Sequence, residues 1–188
     1  MRERKRTELG IGAGDFVLVS AGRLEANKNN GTLIRALHKA AHKNIRLLLC
    51  GEGEARDALA DLAASLGVVD RVIFAGNRRD MPDIYHAVDA LALASHREGL
   101  SRTVMEAMAC GLPCVVSGIR GNVDLSRTAK TALSAMRTTP PPMPRRWTHW
   151  RRTATFAAPL AHTIAKRCAT LPSRWSRRGL PRSTARYF

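Results

Sequence analysis

Acidic residues are missing from the last third of this 188-residue chain. All 15 Asp and Glu residues lie between Glu3 and Asp124, and the 64 residues from Leu125 to Phe188 contain none. The first 124 residues hold 17 of the 31 Lys and Arg residues and the rest hold 14, so the net charge of +16 divides into +2 and +14. A basic excess is typical of proteins that bind polyanions. Because this excess is confined to one segment, it says little about the first 124 residues.

Cysteine is scarce and long apolar runs are absent. The four cysteines (Cys50, Cys110, Cys114 and Cys168) form no Cys-x-x-Cys pair and have no histidine at metal-ligand spacing, which favours reduced thiols with structural roles. No stretch reaches the ~18–20 apolar residues that a membrane span requires. The basic start of the chain is not followed by the apolar segment of a signal peptide. We therefore expect a cytoplasmic location.

Short apolar runs alternate with longer amphipathic stretches before Leu125. The pattern predicts strands over residues 16–21, 46–50, 71–75, 90–94 and 114–117, and helices over 30–41, 55–66, 82–87 and 103–109. Gly67 and Gly111 are expected to end two of these helices. The alternation predicts an α/β fold, a doubly wound Rossmann-like parallel sheet with helices on both faces. Its ligand crevice should lie at the carboxyl ends of the strands.

The predicted domain has flanking segments of different character. Residues 1–14 are interpreted as a basic lead-in, 15–125 as an incomplete Rossmann-like domain, and 126–188 as a tail rich in Pro, Arg and Thr. The tail shows neither helical nor strand periodicity. Because such a segment buries too little apolar surface to offset its ordering entropy, we expect the tail to be irregular or disordered.

Glycines and charged residues follow the predicted strands. Any one glycine is explained by an ordinary turn, but glycines after all five strands favour a ligand site, because they let backbone N–H groups approach a phosphate closely. Arg23 and Lys28 follow the first strand and are placed to neutralise a diphosphate. Glu98 and Glu106 stand eight positions apart, one in a loop and one in the helix it opens, and two such carboxylates suit hydrogen bonding to vicinal hydroxyls.

Taken together, these motifs resemble the C-terminal domain of the retaining GT-B glycosyltransferases of family 4, also called glycosyl transferases group 1. The resemblance covers roughly residues 15–125 and rests on motifs in the expected order. They are Gly22-Arg-Leu with Lys28, Gly51-x-Gly53, Val72-x-Phe-x-Gly76, and Glu98-x7-Glu106 continuing into Glu-Ala-Met-Ala-x-Gly-x-Pro. The family resemblance implies transfer of a sugar from a nucleoside diphosphate to an acceptor hydroxyl with retention of configuration.

The resemblance also implies roles for the matching residues. Arg23, Lys28 and Glu98 form the predicted catalytic set: the two cations stabilise the leaving diphosphate and Glu98 holds the hydroxyls of the donor sugar. The predicted donor-binding set places Glu106 on the ribose hydroxyls and residues 76–78 beside the base. Its members are Gly22, Gly51, Gly53, Gly76, Asn77, Arg78, Gly99, Leu100, Ser101 and Glu106. No metal and no other cofactor is expected.

The partner that the resemblance implies is a nucleoside-diphosphate sugar. The acceptor, a glycan or a lipid-linked sugar, stays open, as does peripheral membrane association of a parent enzyme. Family members have two Rossmann-like domains and 15 residues precede the first strand here, so we expect the acceptor-binding half to be absent and the chain alone to be inactive. The alternatives are a weak nucleotide-sugar-binding module and a nucleic-acid-binding protein that uses its basic tail. No recognition motif accompanies that tail, so no specific nucleic-acid partner is expected.

The tail also fits a slip of the reading frame. Of its 64 residues, 29 are Thr, Arg or Pro, which are the residues that Asp, Glu and Ala codons become when read one base late. Reversing the slip over residues 126–139 admits I-E-D-G-K-N-G-A-F-C-D-A-D-D, a continuation that resembles the family. The single codons of Met143 and Trp147 force Ala at position 144 and Asp at position 148. We therefore predict that Ser126 to Phe188 is out-of-frame translation.

Overall fold

The computed structural model describes residues 1–122, Leu125 and the backbone of residues 133–136. Its strands are β1 (Phe16–Ala21), β2 (Ile45–Cys50), β3 (Val72–Gly76), β4 (Ala90–Leu93), β5 (Cys114–Ser117) and β6 (Leu133–Met136). Its α-helices are α1 (Arg2–Glu8), α2 (Asn30–Lys39), α3 (Arg56–Ser65), α4 (Met81–Ala87) and α5 (Arg102–Ala109). Residues 120–122 are also helical, and 3₁₀ turns cover Ala26–Lys28 and Val69–Arg71.

The strands form one parallel sheet in the order β3-β2-β1-β4-β5-β6. The chain moves outward from β1 through β2 to β3 and then returns to the other side of β1 with β4. This reversal of direction confirms the predicted doubly wound sheet. It also leaves a crevice at the carboxyl ends of β1 and β4, where proteins of this topology bind ligands.

Hydrophobic clusters cover both faces of the sheet. In β2, Leu47 and Leu49 pack with Ile34 of α2 on one face, whereas Leu48 packs with Ile84 of α4 on the other. All five side chains are at most 1% exposed. Because successive strand residues point to opposite faces, an unbroken apolar run is what a sheet covered on both sides requires.

The basic segment before β1 belongs to the domain, which corrects its interpretation as a lead-in. Helix α1 lies against α4, and Leu9 and Ile11 join the core on that face. Arg6 is 7% exposed and donates to the carbonyls of Ala87 at 3.0 Å, Gly12 at 2.8 Å and Asp15 at 2.6 Å. The last carbonyls of a helix have no partner within the helix, and an arginine from a neighbouring element satisfies one here.

The sheet extends beyond the predicted domain boundary at residue 125. Leu133 to Met136 pair in parallel with Cys114 to Ser117, so the sheet has a sixth strand where the sequence predicted an irregular tail. Four residues without clear alternation give too weak a signal for a strand, and pairing with β5 decides this one. The rest of the tail prediction concerns residues outside those that the structure describes.

The bounds of β1 and β5 match the prediction, and the other predicted bounds differ by at most two residues. Gly67 and Gly111 end their helices with φ of +64° and +70°. None of the described helices combines the length and apolarity that a membrane crossing needs.

Candidate functional site

A cleft with a volume of about 560 Å³ lies at the carboxyl ends of the strands, as predicted. Its walls are the turns after β1, β2 and β3, helix α4 and the first turns of α5. Seven of the predicted site residues line it: Gly22, Arg23, Gly51, Gly53, Asn77, Arg78 and Glu106. The predicted residues Lys28, Gly76, Glu98, Gly99, Leu100 and Ser101 lie outside this lining.

The turns that form the cleft are hydrogen-bonded to one another. The Gly22 N–H donates to the Cys50 carbonyl at 2.9 Å, and the Gly51 N–H donates to the Gly76 carbonyl at 2.7 Å. Gly51 has a φ of +144°, and a Cβ at this position would overlap the carbonyl oxygen of Gly22. Glycine is therefore required at position 51 by contact between the turns, in addition to any approach of a ligand.

Two cations on the cleft lining have little carboxylate contact. The Arg23 side chain is 76% exposed, and its ion-pair partner within residues 1–122 is Glu25, at 3.9 Å. Arg102 opens α5, is exposed and makes no side-chain hydrogen bond or ion pair to any residue that the structure describes. Because the start of a helix carries partial positive charge, the α5 side of the cleft adds to the attraction of these guanidinium groups for anions.

Lys28 and Glu98, both predicted to be catalytic, form an ion pair beside the cleft. Lys28 Nζ lies 2.6 Å from Glu98 Oε1, with the two side chains 20% and 12% exposed. The Lys28 side chain passes over Gly22, where a Cβ would lie 3.4 Å from Lys28 Cε. The turn that carries Lys28 is also bound to the loop after β4, because the Asn27 amide donates to the Arg97 carbonyl at 3.0 Å. The structure thus brings these residues together from positions 70 apart in sequence.

Glu106 presents its carboxylate to the cleft from the second turn of α5. It is exposed, and its Oε2 accepts a hydrogen bond of 3.2 Å from the hydroxyl of Tyr85. Tyr85 belongs to α4 and is 2% exposed. Burial, and next the Glu106 charge, raise the pKa of Tyr85 above its usual value, so the phenol keeps its proton.

Arg78 lines the cleft, but its guanidinium group is held by carboxylates. It donates to Asp80 at 2.8 and 2.7 Å and to Glu8 of α1 at 2.6 Å, while Lys5 Nζ lies 2.7 Å from Asp80. Hydrogen bonds from Arg78 and then Lys5 lower the pKa of Asp80 well below its usual range. Hydrogen bonds to Asp80 and Glu8 raise the pKa of Arg78. Arg78 is therefore a fixed part of the wall, tied to the N-terminal helix.

The residues between Glu98 and α5 occupy a turn beside the cleft. A Cβ on Gly121 would overlap the carbonyl oxygen of Gly99, so the chain after β5 packs tightly against this turn. Ser101 is 4% exposed at the N-cap position of α5, where its hydroxyl makes no capping bond, and Leu100 is 62% exposed.

The buried cysteines among the described residues, Cys50 of the cleft lining and Cys114 at the start of β5, are not suited to nucleophilic chemistry. Burial raises the pKa of Cys50 and Cys114 to about 12, so both thiols stay protonated near neutral pH. Cys168 lies outside the described residues. In the part of the chain that the structure describes, no three His, Cys, Asp or Glu side chains come together at a distance that would hold a metal ion.

Several lining residues have no role predicted from the sequence: Glu52, Met81, Tyr85, Arg102 and Thr103. Arg102 precedes Glu106 by one helical turn, so the two share a helix face, and this spacing was an available signal. Tyr85 had no such signal, since it stands in a helix whose packing on α5 is decided by the tertiary structure.

The parallel sheet and its cleft define an α/β domain with accessible guanidinium groups at the carboxyl ends of its strands. The chain belongs to the glycosyl transferases group 1 family, whose model matches residues 1–139. The match ends 14 residues beyond Leu125, so it includes β6.

Curated relatives match part of the chain. An uncharacterized glycosyltransferase of Methanocaldococcus jannaschii is 33% identical over 123 residues, which is 64% of this chain and 32% of the relative. The D-inositol 3-phosphate glycosyltransferase of Mycobacterium marinum is 34% identical over 127 residues, 64% of this chain and 27% of the relative. The chain thus spans about a third or less of the length of these relatives.

A crystal structure of Anabaena HepE in complex with UDP and glucose is similar to the chain, with a TM-score of 0.62 and 32% identity. The similarity covers 65% of this chain and 34% of HepE.

Proposed function

We propose that this chain is the donor-binding half of a retaining glycosyltransferase of family 4, which takes a sugar from a nucleoside diphosphate and delivers it to an acceptor hydroxyl. The cleft carries this proposal, because it combines two accessible guanidinium groups with a carboxylate, Glu106. Cations suit a diphosphate and a carboxylate suits sugar hydroxyls. The complex of HepE with UDP and glucose supports a nucleotide-sugar donor.

In the proposed reaction, the bond between the anomeric carbon and the β-phosphate oxygen breaks, and its electron pair stays on the diphosphate. Arg23 and Lys28 stabilise this negative charge, which is larger in the transition state than in the bound donor. The anomeric carbon forms its new bond to the acceptor oxygen, and the acceptor proton leaves with the diphosphate. Donor binding exchanges the Lys28–Glu98 pair for a contact of Lys28 with phosphate and of Glu98 with sugar hydroxyls.

Equilibrium binding of UDP and GDP to the purified chain, measured by calorimetry, tests the donor site. Arg23→Ala and Arg102→Ala should each weaken the preferred nucleotide about tenfold, as expected for loss of one charge-assisted contact. Arg79→Ala and Arg97→Ala are matched controls, since both arginines are exposed and lie outside the cleft lining. Equal losses in all four variants would show general charge attraction and contradict the proposed site.

No metal is part of the proposed donor site, since the charges it uses belong to Arg23, Lys28 and Arg102. Addition of EDTA should therefore leave the affinity for UDP or GDP unchanged. Loss of binding in EDTA, restored by Mg²⁺ or Mn²⁺, would overturn this part of the proposal.

We further propose that the chain alone binds the donor without transferring the sugar, since it spans about a third or less of its relatives. A thermal transition that shifts upward with UDP-glucose, together with no transfer from radiolabelled UDP-glucose to lipid or glycan acceptors, is the expected result. Transfer to any acceptor would contradict it. A cytoplasmic location is part of the same proposal, and none of the described residues favours the nucleic-acid-binding alternative.

Out-of-frame translation after Leu125 remains our proposal for the basic tail. A slip of one base preserves the number of residues, so the restored letters A-F-C-D would stand at β6, where the chain has L-S-A-M. The family match to residue 139 was made with the chain's own residues and does not test the restored letters. Sequencing the coding DNA tests the proposal, because the restored reading requires particular third bases in the codons of residues 126–139. If those bases are absent, the proposal fails.

A further inference from the structure

We propose that Tyr85 positions Glu106 for the ribose of the nucleotide, so that a buried phenol on α4 acts on the ligand through a carboxylate on α5. This inference rests on the proposed donor site and assigns a role to a residue that the sequence interpretation left unassigned.

Tyr85 is held much more firmly than the carboxylate it contacts. Its ring is 2% exposed and belongs to the same core cluster as Val88, Val104 and Ala107. Packing on both α4 and α5 leaves the phenol little freedom, and its hydroxyl reaches Glu106 Oε2 at 3.2 Å. Tyr85 is therefore a fixed point against which the carboxylate is oriented.

Glu106 needs such an orienting contact. It is exposed, and a glutamate side chain loses rotamer entropy when it is immobilised. The bond from Tyr85 engages Oε2, whereas Oε1 has no hydrogen-bond partner within residues 1–122. Two vicinal hydroxyls require a carboxylate with a defined plane and unused lone pairs, and this arrangement provides both before the ligand binds.

The phenol of Tyr85 stays protonated in this arrangement. Burial and the nearby negative charge of Glu106 both raise the pKa of the phenol, so it donates to the carboxylate throughout the physiological pH range. The contact is thus a donor–acceptor pair of fixed direction.

Tyr85→Phe tests this role, because it removes the hydroxyl and keeps the ring. We measure the affinity of the full chain for UDP and for 2′,3′-dideoxy-UDP. If GDP binds more tightly than UDP, GDP and 2′,3′-dideoxy-GDP are used instead. Tyr85→Phe should lower the affinity for UDP about three- to tenfold and leave the affinity for the dideoxy nucleotide unchanged. In a Glu106→Ala background, Tyr85→Phe should have no further effect on UDP. Ser65→Ala, which removes a hydroxyl from an exposed residue outside the cleft lining, is the control.

The outcomes separate this inference from the donor site itself. If Tyr85→Phe weakens both nucleotides equally, or weakens UDP as much in the Glu106→Ala background, the hydroxyl acts through general packing and the inference is wrong. If the wild-type chain binds neither UDP nor GDP, the donor site fails and this inference fails with it. The midpoint of urea unfolding of each variant shows whether a loss of affinity reflects a loss of folded protein.

Discussion

Two side chains with opposite charges and separate expected roles neutralise one another in the ligand-free chain. Lys28 and Glu98 form a close pair that is largely shielded from solvent. Partly buried ion pairs are screened less than exposed ones, so separating Lys28 from Glu98 costs free energy. A ligand must offset this cost through new contacts with both side chains. In the proposed donor site, a complete nucleotide sugar would supply a phosphate for Lys28 and hydroxyls for Glu98, whereas a nucleoside diphosphate would supply the phosphate alone.

Glu98→Gln should therefore affect UDP and UDP-glucose differently. Removal of one negative charge releases Lys28 toward phosphate, so UDP should bind about two- to threefold more tightly. UDP-glucose should gain less or bind more weakly, since the sugar loses an ionised acceptor. Calorimetric titration with both ligands measures the ratio. Glu54→Gln is the control, because Glu54 is exposed and lies outside the cleft lining. An equal change for the two ligands would contradict the proposed role of Glu98.

At the scale of the elements, two arginines of helix α1 bind the C-terminal end of helix α4. Arg2 donates to the carbonyls of His86 and Val88 at 2.8 and 2.9 Å and pairs with Asp89 at 2.6 Å. The buried Arg6 donates to the carbonyl of Ala87, which lies between those two residues, and its guanidinium group is 3.4 Å from the Asp89 carboxylate. Cations at a helix C-terminus satisfy its last carbonyls and interact favourably with its dipole. The first residues of the chain thus supply hydrogen-bond donors to the last carbonyls of α4, the helix that carries Tyr85.

Arg6→Met should destabilise the chain by about 2–4 kcal/mol, because it leaves the buried Ala87 carbonyl and the part-buried carbonyls of Gly12 and Asp15 without this donor. Arg4→Met is the matched control, since Arg4 is exposed on the same helix, and it should change the free energy of unfolding by less than about 0.5 kcal/mol. Urea unfolding followed by circular dichroism measures both. Equal effects of the two substitutions would show that α1 does not depend on its buried arginine.

The turns after β1 and β2 should tolerate no side chain where they meet. Gly51→Ala places a Cβ against the Gly22 carbonyl and a side chain at a φ of +144°. It should therefore lower the free energy of unfolding by ~1–3 kcal/mol and also weaken UDP binding. Gly14→Ala is the control, since a Cβ there has no neighbour within 4 Å. The melting temperature and UDP affinity of both variants decide the matter. A Gly51→Ala chain with wild-type affinity would show that the two turns can move apart.

For the whole molecule, the attachment of α1 predicts how stability depends on pH. Hydrogen bonds from Arg78 and Lys5 lower the pKa of Asp80, and bonds from Lys5 and Arg78 lower that of Glu8. A carboxyl group with a lowered pKa in the folded state contributes its full stabilisation above its unfolded pKa, near 4. That contribution is lost as the pH falls through the lower pKa of the folded state.

Wild-type chain should therefore be more stable than Asp80→Asn at pH 7, and the difference should shrink as the pH falls from about 4 toward 2. Urea midpoints across this range measure it, with Asp57→Asn, an exposed aspartate of α3, as the control. A difference that is constant with pH would mean that the ionised form of Asp80 contributes nothing to folding.

The sequence by itself determined five strands of the sheet and the chemical character of the cleft. The apolar runs of β1, β2 and β5 required burial on both sides, and parallel strands bring the turns that follow them to one edge. Gly22, Gly51 and Arg23 could therefore be placed together without coordinates. The same local signals located the ends of α3 and α5 at Gly67 and Gly111.

Only the tertiary structure decided which side chains meet. The Lys28–Glu98 and Tyr85–Glu106 contacts join residues 70 and 21 positions apart, and neither residue pattern nor spacing encodes such pairs. The attachment of α1 and the pairing of β6 likewise depend on partners supplied by distant elements, the end of α4 and the edge strand β5. Periodicity reports what one element buries, whereas long-range contacts depend on how elements pack, which is why these features appear only in the folded chain.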